Sequence, residues 1–104
     1  MKRAQYRQGD VLLIPVDFVP PEAVQEDTPE GRVVLAYGEV TGHAHAIDVL
    51  LAKTFHNGEH RYLVVTDGAI LRHEEHSPLC LAPGAYRVQL QREYEPAGIR
   101  RVID

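Results

Sequence analysis

Val11-Leu12-Leu13-Ile14-Pro15-Val16 is an unbroken apolar run of strand length, set off by the polar turn Gln8-Gly9-Asp10. With no polar alternation it predicts a central or two-face-covered strand, and Pro15, which has no amide donor, marks its end or an edge position. Asp17 to Gly31 breaks the pattern with Pro20, Pro21, Pro29 and five acidic residues. That composition predicts an exposed loop with room for one helical turn around Glu22-Ala23-Val24. Arg32 to Tyr37 is a second strand, and an extended pattern resumes from His43 to Leu51 after the glycine-flanked bend Gly38 to Gly42. Lys53-Thr54-Phe55 and Arg61 to Val65 flank His56-Asn57-Gly58-Glu59-His60, whose Asn-Gly pair predicts a hairpin. Thr66-Asp67-Gly68 is a tight turn before Ala69 to Arg72, Leu79 to Leu81 a short strand, and Pro83-Gly84 another turn. From Ala85 to Glu93, Tyr86, Val88 and Leu90 alternate with Arg87, Gln89 and Gln91, which predicts one face on the core and one in water.

Turns recurring about every 8 to 12 residues, with no apolar stripe of helical period, predict an all-β chain. The expected architecture is a small β-barrel or compact sandwich of about 6–8 short antiparallel strands. At 104 residues the chain has the length of one domain over 1–104, with 17–31 as a surface loop.

Composition adds exclusions. A 44% hydrophobic and 25% charged chain is an ordinary globular one, which rules out wholesale disorder. A net charge of −4 argues against broad nucleic-acid binding, which draws on Lys and Arg neutralising phosphates, although Arg87, Arg92, Arg100 and Arg101 concentrate near the C-terminus. The start, Met1-Lys2-Arg3, leads into no apolar signal segment, and no stretch approaches the length needed to span a bilayer. A cytoplasmic location without membrane association is therefore expected. The single cysteine, Cys80, has no intramolecular disulfide partner, and its setting between Leu79 and Leu81 predicts buried packing.

Histidine carries the concentrated chemistry. His43 and His45 are separated by one residue, so on a strand both leave the same face with Cα atoms about 7 Å apart. Ala44 and Ala46 point the other way and are small, and Gly42 permits close backbone approach. His73 and His76 bracket Glu74 and Glu75 ahead of the turn-forming Ser77-Pro78. Four imidazoles with adjacent carboxylates match the donor set of a divalent transition metal (Zn, Mn, Fe or Ni), with His43, His45, His73 and His76 as candidate ligands. His43, His45, His76 and Glu75 are the candidate catalytic residues. The same residues also read as polar turn residues or internally hydrogen-bonded histidines. His56 and His60, flanking a hairpin turn, read as surface residues that join the site only if the hairpin folds over it. Glu39 reads as a solvated loop glutamate or a supporting carboxylate. Tyr86, Tyr94 and Arg92 line either a pocket or, by default for aromatics on an alternating strand, the core.

Gly38-Glu39-Val40-Thr41-Gly42-His43-Ala44-His45, His73-Glu74-Glu75-His76-Ser77-Pro78, Pro83-Gly84-Ala85-Tyr86-Arg87-Val88 and Gln91-Arg92-Glu93-Tyr94 together resemble a group of small uncharacterised bacterial and prophage-type proteins. The resemblance runs from Arg7 onward and implies a shared fold centred on the two histidine bends, with no established activity. More weakly, the His-x-His after glycine resembles the first metal motif of cupins, β-barrel proteins that carry a metal between sheets. In that motif a glutamate follows the second histidine after three or four residues, whereas Asp48 here follows His45 after only two, and no histidine follows Pro83-Gly84.

Three functions follow from the pattern. One is a divalent-metal-dependent hydrolase, acting on a phosphoester or similar bond, with Glu75 or Glu39 moving protons. Another is a metal-free histidine acid/base phosphodiesterase or nuclease, because imidazole titrates near neutrality, with Arg72, Arg87 or Arg92 holding the phosphate. The last is a non-enzymatic binding or assembly module. The partners these imply are a small-molecule or nucleotide-like substrate and, through exposed edge strands, a homo-oligomer.

Overall fold

A computed structural model describes residues 4–28, 31–37 and 43–91. Among them are ten strands and no helix: β1 (Tyr6–Gln8), β2 (Val11–Val16), β3 (Val24–Gln25), β4 (Arg32–Tyr37), β5 (Ala44–Asp48), β6 (Ala52–His56), β7 (Arg61–Val65), β8 (Ala69–Leu71), β9 (Leu79–Leu81) and β10 (Gly84–Leu90). The all-β reading holds. There are more strands than the expected 6–8 because β1 and β3 are three and two residues long, too short to register as a hydrophobic pattern.

The principal sheet is antiparallel in the order β1-β2-β10-β7-β6-β3. The apolar run of β2 is central, with β1 on one side and β10 on the other. Pro15 pairs with Tyr86 of β10 and lies past the reach of β1, which pairs only Val11 to Leu13, so its missing donor disrupts no ladder on that side. Two hairpins, β4–β5 and β8–β9, form the second layer. They are joined where Ala46 and Arg72 exchange two backbone hydrogen bonds of 2.9 Å. The barrel is not closed; the arrangement is an open sandwich. Leu13, Leu63, Val65 and Tyr86 from the large sheet meet Val33, Leu35, Ile47, Leu71 and Leu81 from the hairpins in one buried cluster.

Local chemistry explains the rest. Gly58 adopts φ +90°, and Asn57 Oδ1 accepts from the amides of Glu59 (3.2 Å) and His60 (3.0 Å), so the predicted hairpin forms. The proline-rich loop contains a turn, with the Ala23 amide donating to Pro20 O at 3.0 Å, and no helical turn at Glu22 to Val24. Val24 and Gln25 instead pair with His56 and Phe55. Arg61 anchors this loop: Nε and Nη2 donate to Glu26 at 3.1 and 2.8 Å, and Nη1 donates to Leu35 O at 2.8 Å. Burial pushes the Glu26 carboxyl up, but hydrogen bonds from Arg61 and Thr54 and the nearby guanidinium charge outweigh it and hold the group below its ordinary value.

Two residues depart from the predicted burial. Cys80 is exposed, because the two-residue period of β9 turns Leu81 inward and Cys80 outward. Leu90 is also exposed, since β7 pairs only Gly84 to Val88 and leaves the end of β10 without a neighbour on that side. Among the described residues no helix is long and apolar enough to cross a membrane.

Two tyrosines fix the turn between β9 and β10. The Tyr86 hydroxyl donates to Ala82 O at 2.6 Å, the Ala82 amide donates to Tyr6 Oη at 3.2 Å, and the two rings meet edge to face at 5.9 Å. Tyr86 is fully buried, so Tyr86→Phe keeps the packing and strips one partner from the Ala82 carbonyl. The expected cost is about 1–2 kcal/mol in urea unfolding with an unchanged far-ultraviolet spectrum.

Candidate histidine site

Four histidines meet because three chain segments are pinned together. β5 brings His45 between the layers, where every residue from Ala44 to Ile47 is buried, and His43 directly precedes the strand. β8 ends at Leu71, and the bend that follows carries His73 and His76. Ring centroids lie 4.2 Å apart for His45 and His73, 4.7 Å for His73 and His76, 5.7 Å for His45 and His76, and 5.9 Å for His43 and His73. The structure thus brings together all four histidines singled out in the sequence. His56 and His60 sit exposed at the hairpin, where His56 pairs with Glu26 at 3.3 Å.

The third segment is the turn Gln8-Gly9-Asp10 between β1 and β2, which sequence reasoning treated only as a strand boundary. Gln8 is 3% exposed and its amide is fully engaged: Nε2 donates to Leu71 O and Ser77 O, both at 2.9 Å, and Oε1 lies 2.8 Å from His45 Nδ1. The two carbonyl acceptors fix which way the amide points. Oε1 can only accept, so Nδ1 of His45 carries the proton and Nε2 keeps its lone pair. Asp10 Oδ1 stands 3.6 Å from that Nε2. Gly9 follows with φ +58°, and a Cβ there would sit 2.7 Å from His76 Nε2 and 3.2 Å from His45 Cε1. Only glycine fits both the dihedral and the close approach.

The carboxylates are divided in role. Glu74 Oε1 accepts from the Ala44 amide at 2.9 Å, and that bond draws its carboxyl below the ordinary range. Glu75 Oε2 lies 3.0 Å from His43 Nδ1, but without hydrogen-bond alignment, leaving that buried nitrogen without an aligned partner. His73 Nδ1 accepts from the Glu75 amide at 3.0 Å. Burial and then the neighbouring imidazoles lower the proton affinity of His45 to a pKa of about 4, against the pull of Asp10. His73 is lowered by burial and by His76. His45 and His73 therefore favour the neutral ring, the form in which imidazole binds metals and accepts protons. As the side chains stand, no three His, Cys, Asp or Glu groups among the described residues are arranged to hold one ion.

The remaining candidates fall elsewhere. Arg87 shares a sheet face with Ile14 and Tyr62, opposite the face of Leu13, Leu63 and Tyr86, and so does not reach the histidines. Arg72 adjoins His73 and has an exposed side chain. Tyr86 belongs to the core. Glu39, Arg92, Tyr94, Arg100 and Arg101 lie outside the described residues.

Residues 7–91 match the family model described as Domain of unknown function (DUF8820). The chain belongs to this family. The matched span takes in all three segments that meet at the histidines of this DUF8820 chain, from the Gln8 turn to His76. No curated protein and no solved structure matches the chain.

Two outcomes are expected for the histidine cluster of this DUF8820 chain. Gln8→Ala leaves His45 Nδ1, Leu71 O and Ser77 O without their partner, a loss of about 3 kcal/mol or more in denaturant unfolding. The depressed pKa of His45 means that the folded state binds fewer protons than the unfolded chain. The associated stability is present above about pH 6.5 and is lost as pH falls toward 4. In chelator-treated protein this amounts to about 3 kcal/mol between pH 7 and 4, and His45→Gln removes that component from the stability profile.

Proposed function

We propose that the chain is a small divalent-metal-dependent enzyme of hydrolytic type, working in the cytoplasm on a small-molecule or nucleotide-like phosphoester, with His43, His45, His73 and His76 as its ligand pool. The observation that carries this reading is the Gln8–His45 hydrogen bond of 2.8 Å. Metal-binding histidines characteristically donate their second ring nitrogen to a fixed acceptor, which sets the tautomer and aims the lone pair. Gln8 supplies that acceptor, and the low pKa of His45 keeps the lone pair available at neutral pH. His-x-His after glycine, the likeness to the cupin motif, fits the same use.

Charge supports it as well. Asp10, Glu74 and Glu75 ring the cluster with carboxylates, which repel a phosphoester unless a cation offsets them. A divalent ion held by these histidines would supply Lewis acidity and lower the pKa of an attacking water. Glu75, whose Oε2 lies 3.0 Å from His43 Nδ1, would accept a proton from a water activated there. The stacked rings and their lack of convergence favour a second reading, metal-free acid/base hydrolysis, in which neutral His45 or His43 is the base.

Elemental analysis of tag-free protein beside His43→Ala/His45→Ala tests the proposal. One transition metal per chain, lost in the double variant, is expected. Metal-free protein whose hydrolysis of a phosphodiester library persists in chelator supports the second reading and overturns the first.

A further inference from the structure

β2 carries apolar side chains on both of its faces. Val11 and Leu13 are fully buried in the core, while Leu12 and Ile14 alternate with them and point to the opposite side of the large sheet. The pairing registers carry that side across the sheet: Ile14, Arg87, Tyr62 and Phe55 lie in one row, and Ala85, Val64 and Lys53 in the next. Leu12, Ile14, Phe55, Tyr62 and Val64 take no part in the core cluster, which lies on the other side with both hairpins. Of these, all but the buried Tyr62 are half-buried, and no strand among the described residues packs across them. An antiparallel sheet with one solvated face ordinarily turns polar residues outward, so this face has the composition of a covered one.

Composition and size select the cover. The rows hold Phe55, Tyr62 and Arg87 and no carboxylate, in a chain with 15 Asp and Glu against 11 Lys and Arg. Aromatics and arginine are enriched, and Asp and Glu depleted, where protein chains bury surface against each other. Charge is drawn to the margins: Arg7 stands on the edge strand β1, Lys53 is exposed on β6, and Arg87 lies along β10 with Nη2 donating to Gln89 Oε1 at 3.3 Å. Across six strands at about 4.8 Å spacing and along the six residues of β2, the face measures about 24 by 20 Å, a footprint of about 500 Å². Two copies placed face to face bury about 1,000 Å², the lower limit for a specific interface. The edges of the sheet offer less, since β1 and β3 are three and two residues long. We propose that this face is a dimer interface, in which two copies of the chain stack their large sheets over the Ile14, Tyr62 and Phe55 row, as aligned sheets do in β-sandwiches. The size of the face makes this a weak, reversible dimer.

The test is sedimentation equilibrium of the full, tag-free chain from about 1 μM to about 1 mM, in reductant so that the exposed Cys80 cannot link copies. A monomer–dimer equilibrium with a dissociation constant of micromolar order is expected. Ile14→Glu and Val64→Lys, at outward positions on different strands, are each expected to weaken it about thirtyfold or more. Ile70→Glu, exposed on the other layer, is expected to leave it unchanged. Thermal melts show which variants are folded, and the Phe55 and Tyr62 ring signals of the wild-type chain, followed by nuclear magnetic resonance as concentration rises, report the interface without any substitution. A wild-type chain that stays monomeric to about 1 mM overturns the proposal; ring contacts from Phe55 and Tyr62 to residues 92–104 in that monomer would assign the face to the chain's own C-terminal residues instead. A dimer that tolerates both outward substitutions in folded chains, or whose Phe55 and Tyr62 signals do not move with concentration, overturns it as well.

Discussion

The buried amide of Gln8 is the constraint on which the site depends. It is one side chain with three obligations, to His45 and to the carbonyls of Leu71 and Ser77. Meeting all three fixes the edge of the large sheet against β5 and against the bend after β8. A buried amide is costly to leave unpaired, so satisfying it converts a hydrogen-bonding requirement into a positional one. The histidines then meet because the backbone segments that carry them are bonded to the same amide.

Crowding four imidazoles has an electrostatic consequence. Protonated rings would repel at centroid separations of 4.2 to 5.9 Å, and His45 and His73 accordingly favour the neutral form. Burial and mutual repulsion both act in that direction, and they act most strongly on His45. The carboxylates oppose it from the rim. Glu74 is committed to the Ala44 amide, while Glu75 stands near His43 without an aligned bond. Stability and the proposed chemistry therefore draw on the same groups, as expected when a small domain has no separate scaffold to spare.

Much of the strand pattern was legible because burial imposes period two. Val11 to Val16, Arg32 to Tyr37 and the Asn57-Gly58 hairpin each carried a local signal that tertiary packing had no reason to override. Cys80 and Leu90 were misjudged for different reasons: alternation along β9 turns Cys80 outward while Leu81 faces the core, and Leu90 lies past the last pair with β7, a neighbour that sequence does not name. The histidine grouping was visible as spacing within each bend, but Gln8 was not. Glutamine has no spacing rule, and its partners are 37 to 69 residues away. The signal available was faint: a polar residue directly before a glycine, at the head of a wholly apolar strand.

The outward turn of Cys80 makes the natural chain a ready spectroscopic substrate. It holds the sequence's one thiol, on β9, paired across the hairpin to Ile70 of β8. A maleimide fluorophore or nitroxide attached there rides on the hairpin that carries His73 and His76, while its neighbour Leu81 remains in the core. The native molecule thus supports labelling at a single defined point, and the bend can be watched from outside without altering any of the four clustered histidines.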